Sequence, residues 1–134
     1  MNFKIHSWDS VPPNINLETY EPQGAYCIGL EFTIRIEGLE AEESFTFMLC
    51  NLEGLVDHHN KLLNPETFYL EGFIIQERYS FPGLVKFLNN MIKDMSPQNY
   101  MDLILKLESK FGWEYSQEIR AKGKIDYVFD GEWY

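Results

Sequence analysis

Between residues 25 and 37, apolar and polar positions alternate with hardly a break. Ile28, Leu30, Phe32, Ile34 and Ile36 fall on one side, and Gly29, Glu31, Thr33, Arg35 and Glu37 on the other. Successive side chains of a strand point to opposite faces, so this spacing predicts a half-buried strand in a sheet with one wet face. A turn region runs from Gly38 through Glu40, Glu42 and Glu43, and residues 44–52 read as the returning strand. Phe45, Phe47 and Leu49 then face the same core, because a one-residue slip would expose the whole apolar set. Two registers satisfy that parity. A tight turn at Gly38-Leu39 sets Arg35 opposite Glu42. A wider loop pairs Ile36 with Phe45 and Ile34 with Phe47, and it is preferred because it buries more apolar surface. Cys27 and Cys50 lie on the side away from this core face.

The rest of the chain punctuates clearly. Residues 1–8 read as a short first strand, followed by a loop marked by Pro12, Pro13, Asn14, Asn16 and Pro22. Residues 53–63 read as a short helix with Leu55, Val56, Leu62 and Leu63 available to pack, closed by Asn64-Pro65. Residues 68–79 read as a third long strand. Two helices follow. The first starts near Ser80-Phe81-Pro82 and carries Leu84, Phe87, Leu88, Met91 and Ile92 at helical spacing. The second takes Ser96 as its cap and Pro97 at its first position, buries Tyr100, Leu103, Ile104 and Leu107, and ends on Gly112 as a left-handed cap. Residues 113–116 and 125–129 read as short closing strands. Hairpin-linked strands followed by clustered helices predict an α+β fold, a mainly antiparallel sheet with two or three helices packed on one face. At 134 residues the chain suits one domain, residues 1–134.

Charge changes the expectation about partners. Eleven basic against 21 acidic residues leave a net charge of −10, which repels phosphate backbones and anionic lipid and attracts a basic partner. Neither nucleic acid nor membrane is therefore an expected partner. No apolar run exceeds four residues and no export signal is visible, so a cytoplasmic location and two reduced, packed thiols are expected. A disulfide between Cys27 and Cys50 is geometrically conceivable but not favoured.

Catalytic signatures are missing. There is no G-x-S-x-G elbow, no phosphate loop and no dinucleotide fingerprint. His58 and His59 are adjacent, so on a helix they diverge instead of converging on a metal as an i, i+4 pair does. Glu31 and Glu77 sit in strand patterns that a cleft can recruit, but a paired or solvated glutamate is the commoner fate. No cofactor or metal is expected, and a binding role is favoured over an enzymatic one. The candidate partner-binding residues are Glu37, Glu40, Glu42 and Glu43 at the hairpin tip, with Asp126 and Asp130 in an aromatic C-terminal segment.

Several segments together resemble a known family. They are Leu17-x-x-Tyr20-x-Pro22 with Tyr26 ahead of a long strand, and Glu43-Ser44-Phe45-Thr46-Phe47 leading to Cys50-Asn51 and Leu55. The others are Phe73-Ile74-Ile75-x-Glu77-x-Tyr79 entering a helix, and Gly112-Trp113-Glu114-Tyr115 after the last one. In this order and spacing, spanning roughly residues 2–118, the chain resembles the immunity protein 8 family of bacterial polymorphic-toxin and contact-dependent inhibition systems. Gly54 stands where the usual pattern has a tryptophan, and residues 119–134 extend beyond it. The resemblance implies a cytosolic protein that binds a cognate toxin domain and blocks its active site or an essential surface. Many such toxins are nucleases with basic clefts. The competing expectations are a general interaction or adaptor domain and, behind it, a small carboxylate-based enzyme.

Overall fold

The computed structural model describes residues 2–38, 42–60 and 72–113. Five strands form one sheet: β1 (Phe3–Val11), β2 (Cys27–Ile36), β3 (Glu42–Cys50), β4 (Phe73–Ile75) and β5 (Gly112–Trp113). Three helices, α1 (Leu52–Asn60), α2 (Phe81–Asp94) and α3 (Tyr100–Glu108), complete the order. The strands lie β1-β2-β3-β4, with β5 also pairing β3. All pairings are antiparallel except β4, which runs parallel to β3. This is the mainly antiparallel α+β fold that the sequence pattern predicts.

The alternation along β2 produces the core. Leu30, Phe32, Ile34 and Ile36 are buried beside Phe45, Phe47 and Leu49 of β3. Against them α2 packs Leu84, Leu88 and Ile92, and α3 packs Leu103, Ile104 and Leu107. Phe111 closes the gap, its ring 5.5 Å from those of both Phe32 and Phe47. Each such side chain stabilises the fold by about 1.5–3 kcal/mol on burial.

The tight hairpin register is the one that forms, with Arg35 opposite Glu42, Ile34 opposite Glu43 and Phe32 opposite Phe45. The preference for the wider loop is thus corrected. Its extra apolar burial is outweighed because the inward-facing Glu43 finds a hydrogen-bond donor in the Tyr100 hydroxyl. Phe32 and Phe45 still stack, at 5.6 Å. On the reverse face the same register pairs Arg35 with Glu42 and brings the Thr33 and Ser44 hydroxyls to 2.9 Å.

Of the described helices, α2 and α3 cover the core face. β4 sets Phe73 beside Met48, on the reverse face, and there the Phe73 ring meets His58 of α1 at 5.7 Å. Within α1, Leu55 is buried and Val56 is exposed, and Phe87 of α2 likewise faces solvent. The expected third long strand ends at Ile75 instead of residue 79, because the Gln76 side chain bonds the backbone of Ser80 and Glu77 turns to the start of α1. α2 is capped by Ser80, as expected. The cap of α3 is Asn99, not Ser96; Ser96 takes a φ of 47° and turns the chain between the helices. Gly112 is not a cap either: α3 ends at Ser109 in right-handed conformation, and Gly112 opens β5, where a Cβ would press on Thr46. β1 runs longer than residues 1–8, with an irregularity between Ile5 and Ser7. Glu40, Leu62, Leu63, residues 68–71 and 114–116, the strand expected over 125–129, Asp126 and Asp130 lie outside the described residues.

One side chain ties β2, β3 and α1 together. Asn51 Oδ1 accepts from Gly54 N at 2.7 Å and from Tyr26 N at 3.2 Å, while its Nδ2 donates to Gly24 O at 2.9 Å. Gly54 lies so close to Tyr26 that any Cβ there would overlap its carbonyl oxygen. With the backbone placed this way, a tryptophan at this position would overlap Tyr26. Asn51→Ala is expected to lower stability by about 2–4 kcal/mol, from the lost cap and a stranded buried N–H. Asn51→Asp, which keeps the acceptor, should lose less. Gly54→Ala should cost about 3 kcal/mol through overpacking. Urea unfolding of the three variants measures each loss.

Candidate functional site

The hairpin end of the sheet holds the acids that the sequence singles out, and the register disperses them. β2 and β3 put Glu42 on the open face, where it pairs with Arg35 and stands 3.7 Å from His6 Nε2. Its charge is therefore offset locally. Glu43 points the other way, is 9% exposed and accepts from the Tyr100 hydroxyl at the first residue of α3. Burial withdraws it from any docking surface. Glu37 is exposed, with a hydrogen bond from the Asn2 amide at 3.2 Å. Lys4 and Lys93 line a groove beside this end, between β1 and α2. Of the described hairpin carboxylates, Glu37 alone presents its charge outward with no ion pair among the described residues.

The opposite end of β2 and β3 is built differently. The loop after β1 returns over the sheet and is held by Ser10, whose hydroxyl donates to Pro12 O at 2.7 Å and accepts from Asn14 N and Ile15 N at 3.1 Å. It delivers Tyr20 against Tyr26 and Tyr79, the last carried by the segment between β4 and α2. The three rings meet edge to face, with centroids 4.9 to 6.3 Å apart, an arrangement in which the positive edge of one ring meets the negative face of the next. The Tyr79 hydroxyl donates to Leu17 O at 2.6 Å and that of Tyr26 to Gln76 O. Burial, with Cys50, Glu77 and the other two tyrosines adding to it, pushes the Tyr26 phenol well above its ordinary 10.0. Burial and then Tyr20 push Tyr79 up to about 12.

Beside these rings opens a cleft of about 370 Å³, walled by Glu21, Pro22, Asn51, Glu77 and Arg78 as well as the tyrosines. Glu77 accepts from Leu52 N at 3.1 Å, and Glu53 stands next to that residue in the first turn of α1. Asp57 follows four residues on, along the same helix face. Glu18 adjoins Leu17, whose carbonyl Tyr79 holds. Glu18, Glu21, Glu53, Asp57 and Glu77 are all exposed. Arg78 is the cation among the residues walling the cleft.

The residues with potential chemistry lie apart. His59 is buried, His58 touches Phe73, and His6 is on β1. Glu31 is on β2 and does not meet Glu77, which caps α1. Among the described residues no three His, Cys, Asp or Glu side chains converge as metal ligands. The cleft was invisible to pattern reading, because its walls come from three separated segments. The one available signal was the set of resembling pieces: Leu17, Tyr20, Pro22, Tyr26, Asn51, Glu77 and Tyr79 all meet here.

The raised phenols have a consequence for pH. In the unfolded chain they ionise near 10.0, while in the fold they keep their protons to higher pH. Their contribution is complete below pH 10.0 and is lost as the pH rises toward 12. Urea midpoints measured up the alkaline range should fall with that onset. Tyr79→Phe should be less stable at neutral pH by about 1 kcal/mol, through the lost hydrogen bond, yet show a shallower alkaline decline.

The sequence model of the family described as Immunity protein 8 matches residues 3–117. No curated protein and no solved structure matches significantly. The match spans β1 to β5, takes in every segment that walls the cleft and covers well over half of the chain. The chain belongs to the Immunity protein 8 family, whose members provide immunity against a toxin.

Proposed function

We propose that the chain neutralises a basic toxin domain of the nuclease kind, by binding without turnover, and that the acidic surface around the tyrosine cleft is where it docks. Family membership supports a cognate toxin as the partner. The observation that carries the finer reading is the charge imbalance at this end: Glu18, Glu21, Glu53, Asp57 and Glu77 are all exposed, with Arg78 the one cation among the described residues walling the cleft. A nuclease holds a phosphate backbone with clustered Lys and Arg. Such a surface is drawn to a field of opposite sign, which raises the encounter rate. Once docked, a toxin arginine entering the cleft meets tyrosine rings and the Glu21 and Glu77 carboxylates, a cation–π and charge-assisted environment. Occupying the toxin's cationic residues removes the groups that hold its substrate.

Glu37 and Glu42 offer a second acidic surface to the same partner, and Glu40, Asp126 and Asp130, expected to join them, lie outside the described residues. The cleft is favoured over it because Arg35 offsets Glu42 and Glu43 is buried. Action in the cytoplasm of the producing cell follows from the need to meet incoming toxin before its target does.

The test is binding kinetics with the cognate toxin domain, combined with growth rescue on co-expression. Glu21→Lys with Glu53→Lys should slow association roughly 3–10-fold at low salt, and less at high salt. Glu37→Lys should have a smaller effect. A double variant that associates at the wild-type rate removes the cleft from the proposal. A toxin that leaves DNA and RNA intact overturns the nuclease assignment.

A further inference from the structure

Cys27 opens β2 and Cys50 ends β3, and the ladder sets them directly opposite one another. The backbone bond from Asn51 N to Tyr26 O makes 26 and 51 the hydrogen-bonded pair. Pairs alternate along an antiparallel ladder, so 27 and 50 form a non-hydrogen-bonded pair, the kind with Cα atoms about 4.5 Å apart and side chains closest together. Thr33 and Ser44 are another pair of this kind, and their hydroxyls are in contact at 2.9 Å. The usual Cα separation in a disulfide is about 4.4–6.8 Å, so this position meets the requirement without backbone movement.

The two sulfurs are not joined, but the thiols are hydrogen-bonded to each other. Their access to solvent differs: Cys50 is 0% exposed, and Cys27 is half-buried. Burial, then Cys27, holds the Cys50 thiol protonated, with its pKa pushed up to about 12. A half-buried thiol beside a fully buried, protonated one is the arrangement of an attacking and a resolving thiol.

We propose that Cys27 and Cys50 form an oxidisable dithiol site that hydrogen peroxide closes to an intramolecular disulfide and that thiol reductants reopen. The deprotonated Cys27 sulfur attacks one peroxide oxygen, the O–O bond breaks, and hydroxide leaves and is protonated to water. Cys27 is then a sulfenic acid. The Cys50 sulfur attacks the Cys27 sulfur, the S–O bond breaks, and the Cys50 proton goes with the departing hydroxide as a second water. Two thiols lose two electrons, and one peroxide is reduced to two waters. The site flanks the tyrosine cleft, since Tyr26 precedes Cys27 and Asn51 follows Cys50. Its closure depends on neither the cleft nor the toxin.

Peroxide titration of the full chain tests this, with thiol counting in denaturant and peptide mass mapping without reductant. The expected result is loss of both thiols in a monomer, a Cys27–Cys50 cross-linked peptide lighter by two hydrogens, and recovery with dithiothreitol. The thermal midpoint of the oxidised form should rise by roughly 5–10 °C, because the staple constrains the unfolded chain. Cys50→Ser should stop at a Cys27 sulfenic acid that dimedone captures. Cys27→Ser should leave Cys50 unmodified at the same peroxide dose. Any of three outcomes overturns the proposal: both thiols persisting, a disulfide between two chains, or Cys27 advancing to sulfinic acid in the wild type while Cys50 stays reduced.

Discussion

The register of the β2–β3 ladder fixes almost everything else in this molecule. With Phe32 opposite Phe45, the even positions of one strand and the odd positions of the other present a single apolar face, and α2 and α3 have one surface to cover. The same offset carries Glu43 under Tyr100, sets Arg35 against Glu42, faces Cys27 with Cys50 and brings Tyr26 to Asn51. Any slip by one residue would turn the apolar set outward. A slip by two would keep the core face but break each of those polar pairings. Core burial excludes odd shifts, and the polar partners choose among the even ones.

Charge is distributed by the same geometry. At the hairpin end carboxylates are consumed structurally: one accepts from a phenol and another is matched by a guanidinium. At the far end they decorate a loop, a helix start and the lip of a cleft, with few cations nearby. The overall net charge of −10 says nothing of this asymmetry. Fold and field are linked at Glu77, which both caps α1 and faces the cleft.

Much of the architecture was legible in the sequence wherever a period was strong. The alternation in β2, Leu84, Leu88 and Ile92 of α2 and Leu103, Ile104 and Leu107 of α3 are read correctly because local pattern and tertiary burial agree there, whereas Phe87 faces solvent and Tyr100 is only half-buried. The hairpin register was misjudged because counting apolar contacts ignores a donor 57 residues away in sequence, the Tyr100 hydroxyl. The α3 cap was misplaced because Ser96-Pro97 and Asn99 both offer capping chemistry, and the turn after α2 uses up the first. The cleft stayed hidden for a different reason. Tyr20, Tyr26, Asn51 and Tyr79 carry no shared period, and only the closed sheet makes them neighbours.

The contact between Gly54 and Tyr26 also bears on how the cleft behaves mechanically. With no side chain to act as a spacer, the first turn of α1 rests directly on the backbone at the start of β2, and Asn51 bonds both. Helix, strand end and the tyrosine wall are therefore tied to one another by direct contacts. If the proposed docking takes place there, the partner would meet a surface these contacts already hold in place, so little of the interaction free energy would be lost to ordering. In that proposed complex, a wall held in this way would favour a slow off-rate.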